Sequence, residues 1–175
     1  GQETAKQSLI FSHLLTGVVS FAAFEGRVTD VRLSPSDAPA TPEALAAIEL
    51  ADWVVLGPGS LYTSVLPHLL MPDVRQALDA TTARRLMVLN LRTGDQETTG
   101  LTHADHLRVL HSHAPDLRLD VVIADADAVT DRAAVEAEAA RMGARVAFSR
   151  VSSAQDPQVH DPLRLAVAID EAMTD

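Results

Sequence analysis

The sequence has 175 residues, 47% of them hydrophobic, and a formal net charge of −10 at pH 7. This composition suits a globular protein with a sizeable core, and the charge excludes a protein that coats nucleic acid, which needs clustered basic residues. No apolar run approaches the roughly 20 residues that span a bilayer, and residues 9–24 lack the basic start and cleavage site of a signal peptide, so we expect a cytoplasmic protein without a membrane span.

The first third of the chain predicts a helix, a hairpin and a second helix. Residues 2–15 carry a broad apolar face that fits a helix. Residues 18–24 and 27–33 are rich in β-branched and aromatic side chains, and the second run alternates apolar with polar residues, so we expect an antiparallel pair. Thr41 followed by proline supplies an N-cap and a first helical position for a helix over 42–51.

From residue 53 onward, predicted strands alternate with predicted helices. Such βα alternation predicts a parallel sheet sandwiched by helices, in one domain over 1–175. The predicted strands are 53–56, 86–91, 119–124 and 145–150. The predicted helices are two short ones broken at Pro67 and Pro72, then 103–113, 131–142 and a final helix.

Three boundaries in this half have a local mechanism. Thr102 with Asp105 three residues later resembles a capping box, and Gly143 stands where a C-terminal cap needs a left-handed backbone. Asp161 with Pro162 supplies an N-cap and a first-turn proline for the last helix.

The most informative stretch is WVVLGPGSLYTS, residues 53–64. Its apolar start predicts a strand covered on both faces, and Gly57 and Gly59, on either side of Pro58, let the backbone turn and let a ligand approach closely. Three hydroxyl groups follow that can cap the next helix or donate to an anion: Ser60, Thr63 and Ser64. Phosphate binding and an ordinary capped turn are both open readings of this turn.

Other candidate residues follow the same rule, because open parallel sheets bind ligands beyond the carboxyl ends of their strands. The loop NLRTGDQETTG, residues 90–100, has amide, hydroxyl and carboxylate groups that can grip a sugar or base, and its alternative is a solvated loop. Asp125 and Asp127 could hold a ribose hydroxyl or Mg²⁺, or cap the next helix.

Histidines cluster in the predicted helix 103–113. His103, His106 and His113 lie on adjacent parts of one face, but their spacing matches no well-attested zinc pattern, so we expect no metal site. Histidines at a helix edge more often bond a carbonyl or water, and phosphate or sugar contact by His106 is a third alternative. Ser60 lacks a GxSxG setting, and no acid and base pair names a reaction, so no catalytic residue is assigned.

Three segments together resemble a known family: GPGSLYTSVLPHLL, NLRTGDQETTG followed by HADHLRVLHSH, and His160–Asp161–Pro162. From about Arg27 to the C-terminus the chain resembles the gluconeogenesis factor (YvcK-like) proteins of the 2-phospho-L-lactate transferase (CofD-like) superfamily. The resemblance implies a Rossmann-like α/β fold, a three-layer sandwich with a mostly parallel sheet. It also implies a cytoplasmic protein that binds UDP-sugars, notably UDP-N-acetylglucosamine, and is linked to cell-wall synthesis, cell shape and gluconeogenic growth.

The resemblance also assigns site residues. The phosphate-facing loop would be Gly57, Pro58, Gly59, Ser60, Thr63 and Ser64. The second wall would be Asn90, Thr93, Glu97, Thr98 and Gly100.

Three departures from the family pattern bear on this site. In the second signature, Gly94, Asp95 and Gln96 stand where the family usually has Gln, Pro and Gly, and Thr99 replaces an aspartate. The family's opening glycine-rich GGGTG loop is not found, so the chain resembles the C-terminal portion of a longer protein. Val159 stands where many relatives have an arginine, which leaves three arginines as candidate diphosphate partners: Arg84, Arg85 and Arg92.

Three functions follow from these observations. The first is nucleotide-sugar binding without turnover, because no acid and base pair can be assigned. The second is a Mg²⁺-dependent transferase that moves a phospholactyl or phosphoenolpyruvyl unit with Asp125 or Asp127. The third is an interaction fragment whose apolar residues 9–24 pack on a missing half or on a second copy in a homo-oligomer.

Overall fold

The computed structural model describes residues 8–10, 18–24, 27–93 and 100–174. The strands, in chain order, are β1 (Ser8–Ile10), β2 (Val18–Phe24), β3 (Arg27–Ser34), β4 (Trp53–Leu56), β5 (Arg84–Val88), β6 (Val121–Asp125) and β7 (Arg145–Ser149). The helices are α1 (Pro42–Leu50), α2 (Leu66–Leu70), α3 (Pro72–Ala80), α4 (His103–His113), α5 (Arg132–Arg141) and α6 (Pro162–Thr174), and a π-helical turn, Leu61–Val65, leads into α2.

Five of these strands form one parallel sheet in the order β1-β4-β5-β6-β7. β2 and β3 form a separate antiparallel pair, as their alternation predicts. The pairing sets Trp53 beside Arg84 and Val121 beside Arg145, so the strands begin together at one edge. Their carboxyl ends therefore meet at the other edge, and the loops that follow β4, β5, β6 and β7 emerge there.

Helices cover both faces of this sheet. Successive residues of a strand point to opposite faces, so Val54 and Leu56 of β4 face one way while Trp53 and Val55 face the other. The first pair packs in a large core with apolar residues of α1, α2, α3, α4 and α5. The second pair belongs to a smaller core that contains Ala168 and the other inner residues of α6. The fold is thus the predicted Rossmann-like α/β sandwich of three layers.

The predicted helix boundaries are confirmed by their hydrogen bonds. Thr102 and Asp105 form the reciprocal capping box at the start of α4. Gly143 has φ of 85° after α5, a left-handed conformation that glycine adopts without a Cβ clash. The carboxylate of Asp161 accepts from the N–H groups of Leu163 and Arg164, so it caps α6.

One predicted element is wrong where it can be checked. Residues 2–15 were expected to form a helix, but Ser8–Ile10 is a strand that pairs in parallel with β4. Residues 1–7 and 11–15 of that prediction lie outside the described residues. A short apolar run does not distinguish a buried helix from a strand by its pattern, and here β4 supplies the backbone partner that decides it.

Two smaller differences concern the region of the site. β5 covers residues 84–88 where 86–91 was predicted, so Leu89 to Leu91 already belong to the strand-end segment. Pro67 and Pro72 lie in the first turns of α2 and α3, as the two short helices require, and the π-helical turn before them was not predicted. Within the described residues, no helix is both long and apolar enough to cross a membrane.

Candidate ligand site at the carboxyl edge of the sheet

The turn after β4 folds tightly around Ser60. The Ser60 hydroxyl oxygen accepts from the N–H of Thr63 at 3.3 Å, and the Ser60 carbonyl accepts from Ser64 at 2.9 Å and Val65 at 3.1 Å. This pattern forms the π-helical turn, and single π turns inside helices occur frequently at functional sites. Thr63 and Ser64 are exposed and Ser60 is half-buried, so their hydroxyl groups line the solvent side of the turn.

Asn90 joins this turn to the second polar loop. The Gly59 N–H donates to Oδ1 of Asn90 at 2.8 Å, and Nδ2 of Asn90 donates to the Gly59 carbonyl at 2.7 Å. A carboxamide offers the same kinds of donor and acceptor as a peptide group, so the Asn90 side chain can satisfy both the N–H and the carbonyl of Gly59. The two predicted walls of the site are therefore in direct contact through this pair.

Hydrogen bonds to α4 and β6 fix the backbone at Asn90. Nε2 of His103, the first residue of α4, lies 3.0 Å from the Asn90 carbonyl, and because a carbonyl only accepts, Nε2 carries the proton. The preceding N–H, of Leu89, donates to the Ile123 carbonyl of β6 at 2.9 Å. The Asn90 side chain thus projects from a segment fixed to both the sheet and a helix.

Asp125, at the end of β6, is buried and accepts four backbone hydrogen bonds. Its Oδ1 accepts from Asp127 and Ala128, both at 2.9 Å, in the turn that follows β6. Its Oδ2 accepts from Val151 at 2.9 Å and Ser152 at 2.8 Å, in the segment that follows β7. The carboxylate therefore joins two strand-end segments.

Electrostatics at this edge follow from burial and these hydrogen bonds. Burial raises the pKa of Asp125, but the backbone N–H donors and the Ser152 hydroxyl group together lower it more, so the carboxylate is ionised at neutral pH. Burial is also the largest influence on the pKa of His103 and His160 and lowers both, while backbone hydrogen bonds at Asn90 and Leu89 and the charge of Asp125 oppose it. Both imidazoles are therefore uncharged at neutral pH.

The contacts of Asp125 also bear on whether this edge of the sheet could bind a Mg²⁺ ion. The related transferases imply Mg²⁺, but the four acceptor directions of the Asp125 carboxylate are already used by N–H groups. Asp127 is exposed and lies 3.1 Å from the guanidinium of Arg150. Within the described ranges no group of three His, Cys, Asp or Glu side chains is arranged to hold a metal ion. Of the part of this edge that the structure describes, the carboxylates of Asp125 and Asp127 do not fit a Mg²⁺ site.

Two buried histidines lie directly beneath the first turn. His106 is buried and lines one small cavity with the half-buried Gly57, Gly59 and Asn90, so it is adjacent to the predicted loop. His68, which the sequence analysis did not single out, lies with Nδ1 2.8 Å from the Ser64 carbonyl. The sequence signal for this contact between His68 and the turn is the position of His68 in the helix that follows the hydroxyl-rich segment. The helix-edge alternative holds for His103 and for His113, whose Nδ1 lies 2.9 Å from the Val109 carbonyl.

Two of the three candidate arginines lie at the wrong edge. Arg84 and Arg85 begin β5, and at ~3.3 Å per residue they lie about 13 Å and about 10 Å from its last residue, Val88. The Arg84 guanidinium lies over the Trp53 ring at 4.2 Å, and Nη2 of Arg85 donates to the Leu78 carbonyl of α3. These contacts assign both to packing at the amino edge, so neither is a diphosphate partner.

Arg92 is the arginine of the three at the carboxyl edge. It is exposed, and its Nη1 donates to Oε1 of Gln158 at 2.8 Å, which joins the second loop to the segment before α6. Among the other predicted residues, Thr93 is half-buried and Gly100 is exposed with φ of 80°. Glu97 and Thr98 lie outside the described residues.

The arrangement combines hydroxyl groups, a carboxamide and the exposed Arg92 at the carboxyl edge of a Rossmann-like sheet. This is the class of α/β protein that binds small ligands at its strand ends. Residues 14–161 match the family "2-phospho-L-lactate transferase CofD", and the chain belongs to this family. Within it, the chain is similar to proteins named gluconeogenesis factors.

The relatives are longer than this chain. It is 46% identical over 160 residues to the putative gluconeogenesis factor of Mycobacterium leprae, which covers 90% of this chain and 44% of the relative. It is 37% identical over 118 residues to the gluconeogenesis factor of Halalkalibacterium halodurans, covering 67% and 37%. A crystal structure of a UPF0052 family protein from Bacillus halodurans superposes with a TM-score of 0.70 at 29% identity, covering 85% of this chain and 51% of that one. The chain thus spans about half the length of the proteins it matches.

Proposed function

We propose that this protein binds a nucleotide sugar of the UDP-N-acetylglucosamine type at the carboxyl edge of its sheet and does not turn it over. The observation that carries the proposal is the direct pairing of Gly59 with Asn90, which makes the two polar loops one surface. That surface presents the hydroxyl groups of Ser60, Thr63 and Ser64 and, further along, the Arg92 guanidinium.

This chemistry suits a nucleoside diphosphate sugar better than a free anion. Hydroxyl groups and one guanidinium can bind a diphosphate by charge-assisted hydrogen bonds, while the hydroxyl groups of residues 90–100 suit a sugar or base. The protein has a net charge of −10, so an anionic ligand must be held by local contacts. Family membership supports the same class of ligand. On the basis of the same family resemblance, we place the protein in the cytoplasm and propose that it regulates cell-wall synthesis, cell shape and gluconeogenic growth.

A thermal-shift series tests this proposal. Saturating UDP-N-acetylglucosamine should stabilise the protein, because a ligand at 100 times its Kd contributes about 2.7 kcal/mol. N-acetylglucosamine without the nucleotide is the matched control and should give no shift. The Mycobacterium leprae relative, of which this chain covers 44%, should be measured in parallel. The proposal is wrong if neither protein is stabilised by the nucleotide sugar.

A transferase is the second candidate, because the matched family is described as a 2-phospho-L-lactate transferase. Against it, the Asp125 carboxylate is fully used by backbone donors, and no acid and base pair is assigned at this edge. Incubation with a deazaflavin precursor, a phospholactyl donor and Mg²⁺ separates the two candidates. Turnover would favour the transferase, and tight UDP-sugar binding without turnover would favour the binding protein.

A further inference from the structure

The inference concerns the carboxamide of Asn90, which the sequence placed in the ligand-facing second wall. Both polar atoms of this side chain are used within the protein. Oδ1 accepts from the Gly59 N–H at 2.8 Å and Nδ2 donates to the Gly59 carbonyl at 2.7 Å. To face a ligand through Nδ2, Asn90 would have to release the Gly59 carbonyl, and a half-buried polar group would lose its partner.

The support behind Asn90 limits such a movement. Its carbonyl is bonded by Nε2 of His103, and the imidazole of His103 is buried in α4. The Leu89 N–H before it is bonded to the Ile123 carbonyl of β6. Because both flanking backbone groups are fixed, the side chain is directed toward Gly59 before any ligand arrives.

Ser64 lies close to Gly59 on the side opposite Asn90. A Cβ added at this position would lie 3.1 Å from Cβ of Ser64, closer than nine in ten real Cβ contacts, so the turn folds back tightly on the glycine. Gly59 is thus held between Asn90 and Ser64. Its N–H and carbonyl both point into the protein, and the groups left to face a ligand are those of the next residues, Ser60 and Thr63.

The geometry points to a positioning role for Asn90: it acts on ligand affinity through Gly59, and it does not touch the ligand. Its carboxamide fixes the Gly59 backbone so that the hydroxyl groups of Ser60, Thr63 and Ser64 are already placed for binding. Such pre-organisation increases affinity by lowering the ordering cost of the loop. The inference rests on the proposed function for the identity of the ligand, but its key readout needs no ligand.

The first experiment is amide hydrogen exchange of the ligand-free protein, followed by NMR in wild type and Asn90→Ala. Loss of the Asn90 pair should make the Gly59 amide exchange about tenfold faster or more, since its N–H would open to solvent. The Ile123 amide of β6 is the internal reference for the intact fold and should keep its protection. An unchanged Gly59 amide in a folded Asn90→Ala protein would overturn the inference.

The isosteric variant Asn90→Asp gives a sharper readout. The second oxygen of an ionised carboxylate faces the Gly59 carbonyl and repels it, so the pair should open, Gly59 protection should fall, and affinity for UDP-N-acetylglucosamine should fall about tenfold at pH 7.5. A protonated carboxyl can donate to that carbonyl, so Gly59 protection in the ligand-free variant should recover, relative to wild type, as the pH is lowered. Gln76→Glu makes the same chemical change on the exposed face of α3 and should alter neither property.

The two claims can fail separately. If wild type binds no UDP-N-acetylglucosamine, the proposed function fails, and Gly59 exchange alone decides the role of Asn90. If affinity falls in Asn90→Asp while Gly59 protection in the ligand-free variant stays at the wild-type value at every pH, Asn90 contacts the ligand and the positioning role is wrong.

Discussion

Two turns at the same edge of the sheet are each held by one polar side chain, but in different ways. The Gly57–Ser64 turn is held by the neutral carboxamide of Asn90, which bonds a single residue. The turn after β6 is held by the charged carboxylate of Asp125, which accepts four N–H groups from two segments. The Gly57–Ser64 turn leaves hydroxyl groups exposed beside Asn90, whereas every acceptor direction of the Asp125 carboxylate is used within the protein. Asp125 therefore contributes chiefly to stability, and Asn90 to the shape of the proposed binding surface.

The largest effect is expected from Asp125→Asn. The amide keeps the size of the carboxylate, but its NH₂ group would face two backbone N–H donors, so the free energy of unfolding should fall by about 3 kcal/mol. Urea denaturation measures this loss. Asp127→Asn is the matched control, because that carboxylate is exposed and pairs with Arg150 at the surface; its effect should stay within about 1 kcal/mol.

The loss of stability caused by Asp125→Asn should depend on pH in a defined direction. The pKa of Asp125 is lowered in the folded protein, so its contribution is complete above the unfolded pKa of about 3.9 and is lost as the pH falls through the folded value. The difference in stability between wild type and Asp125→Asn should be constant at neutral pH and shrink in acid. A difference that grows in acid would contradict the assigned role of Asp125.

An intermediate effect is expected from Gly59→Ala. The new methyl group would lie 3.1 Å from Cβ of Ser64, and this overpacking should cost about 1–2 kcal/mol of stability. Removing that Cβ in Gly59→Ala/Ser64→Gly should restore most of the loss, and the four proteins of the cycle give the coupling directly. Additive effects of the two changes would mean that the turn does not close on Gly59 as described.

The smallest effect on stability is expected from Arg92→Ala. Its guanidinium is exposed and donates to Gln158, so the change should alter the free energy of unfolding by no more than about 0.5 kcal/mol. If Arg92 binds the diphosphate, affinity for UDP-N-acetylglucosamine should nevertheless fall about tenfold. Gln158→Ala removes the same internal hydrogen bond and should leave affinity unchanged, which separates ligand contact from loop packing.

Much of the architecture was predictable because local signals coincide with it. The capping box at Thr102, the left-handed Gly143 and the cap at Asp161 lie where the sequence placed them. The hairpin and the parallel sheet followed from alternation and from βα order. The strand at Ser8–Ile10 was not predictable, because its state depends on pairing with β4, a partner distant in the chain.

The site was predictable as a location and less so as a set of roles. Hydroxyl-rich and amide-containing loops at strand ends were expected, and residues 57–64 and 90–93 do lie together there. Whether a polar side chain faces a ligand or another loop depends on three-dimensional contacts that spacing does not encode. The sequence could not tell that Asp125 bonds residues 26 and 27 positions away, or that Arg84 packs on Trp53 at the opposite edge.

The central claim is that a nucleotide sugar binds at the Gly57–Ser64 turn, and amide chemical shifts measured during a titration test it most directly. UDP-N-acetylglucosamine should move the amide signals of Ser60, Thr63 and Ser64 in a saturable way and leave those of the groove between α1 and α3, such as Gln76, in place. Unmoved signals in the turn at saturating ligand, or shifts confined to that groove, would contradict the account.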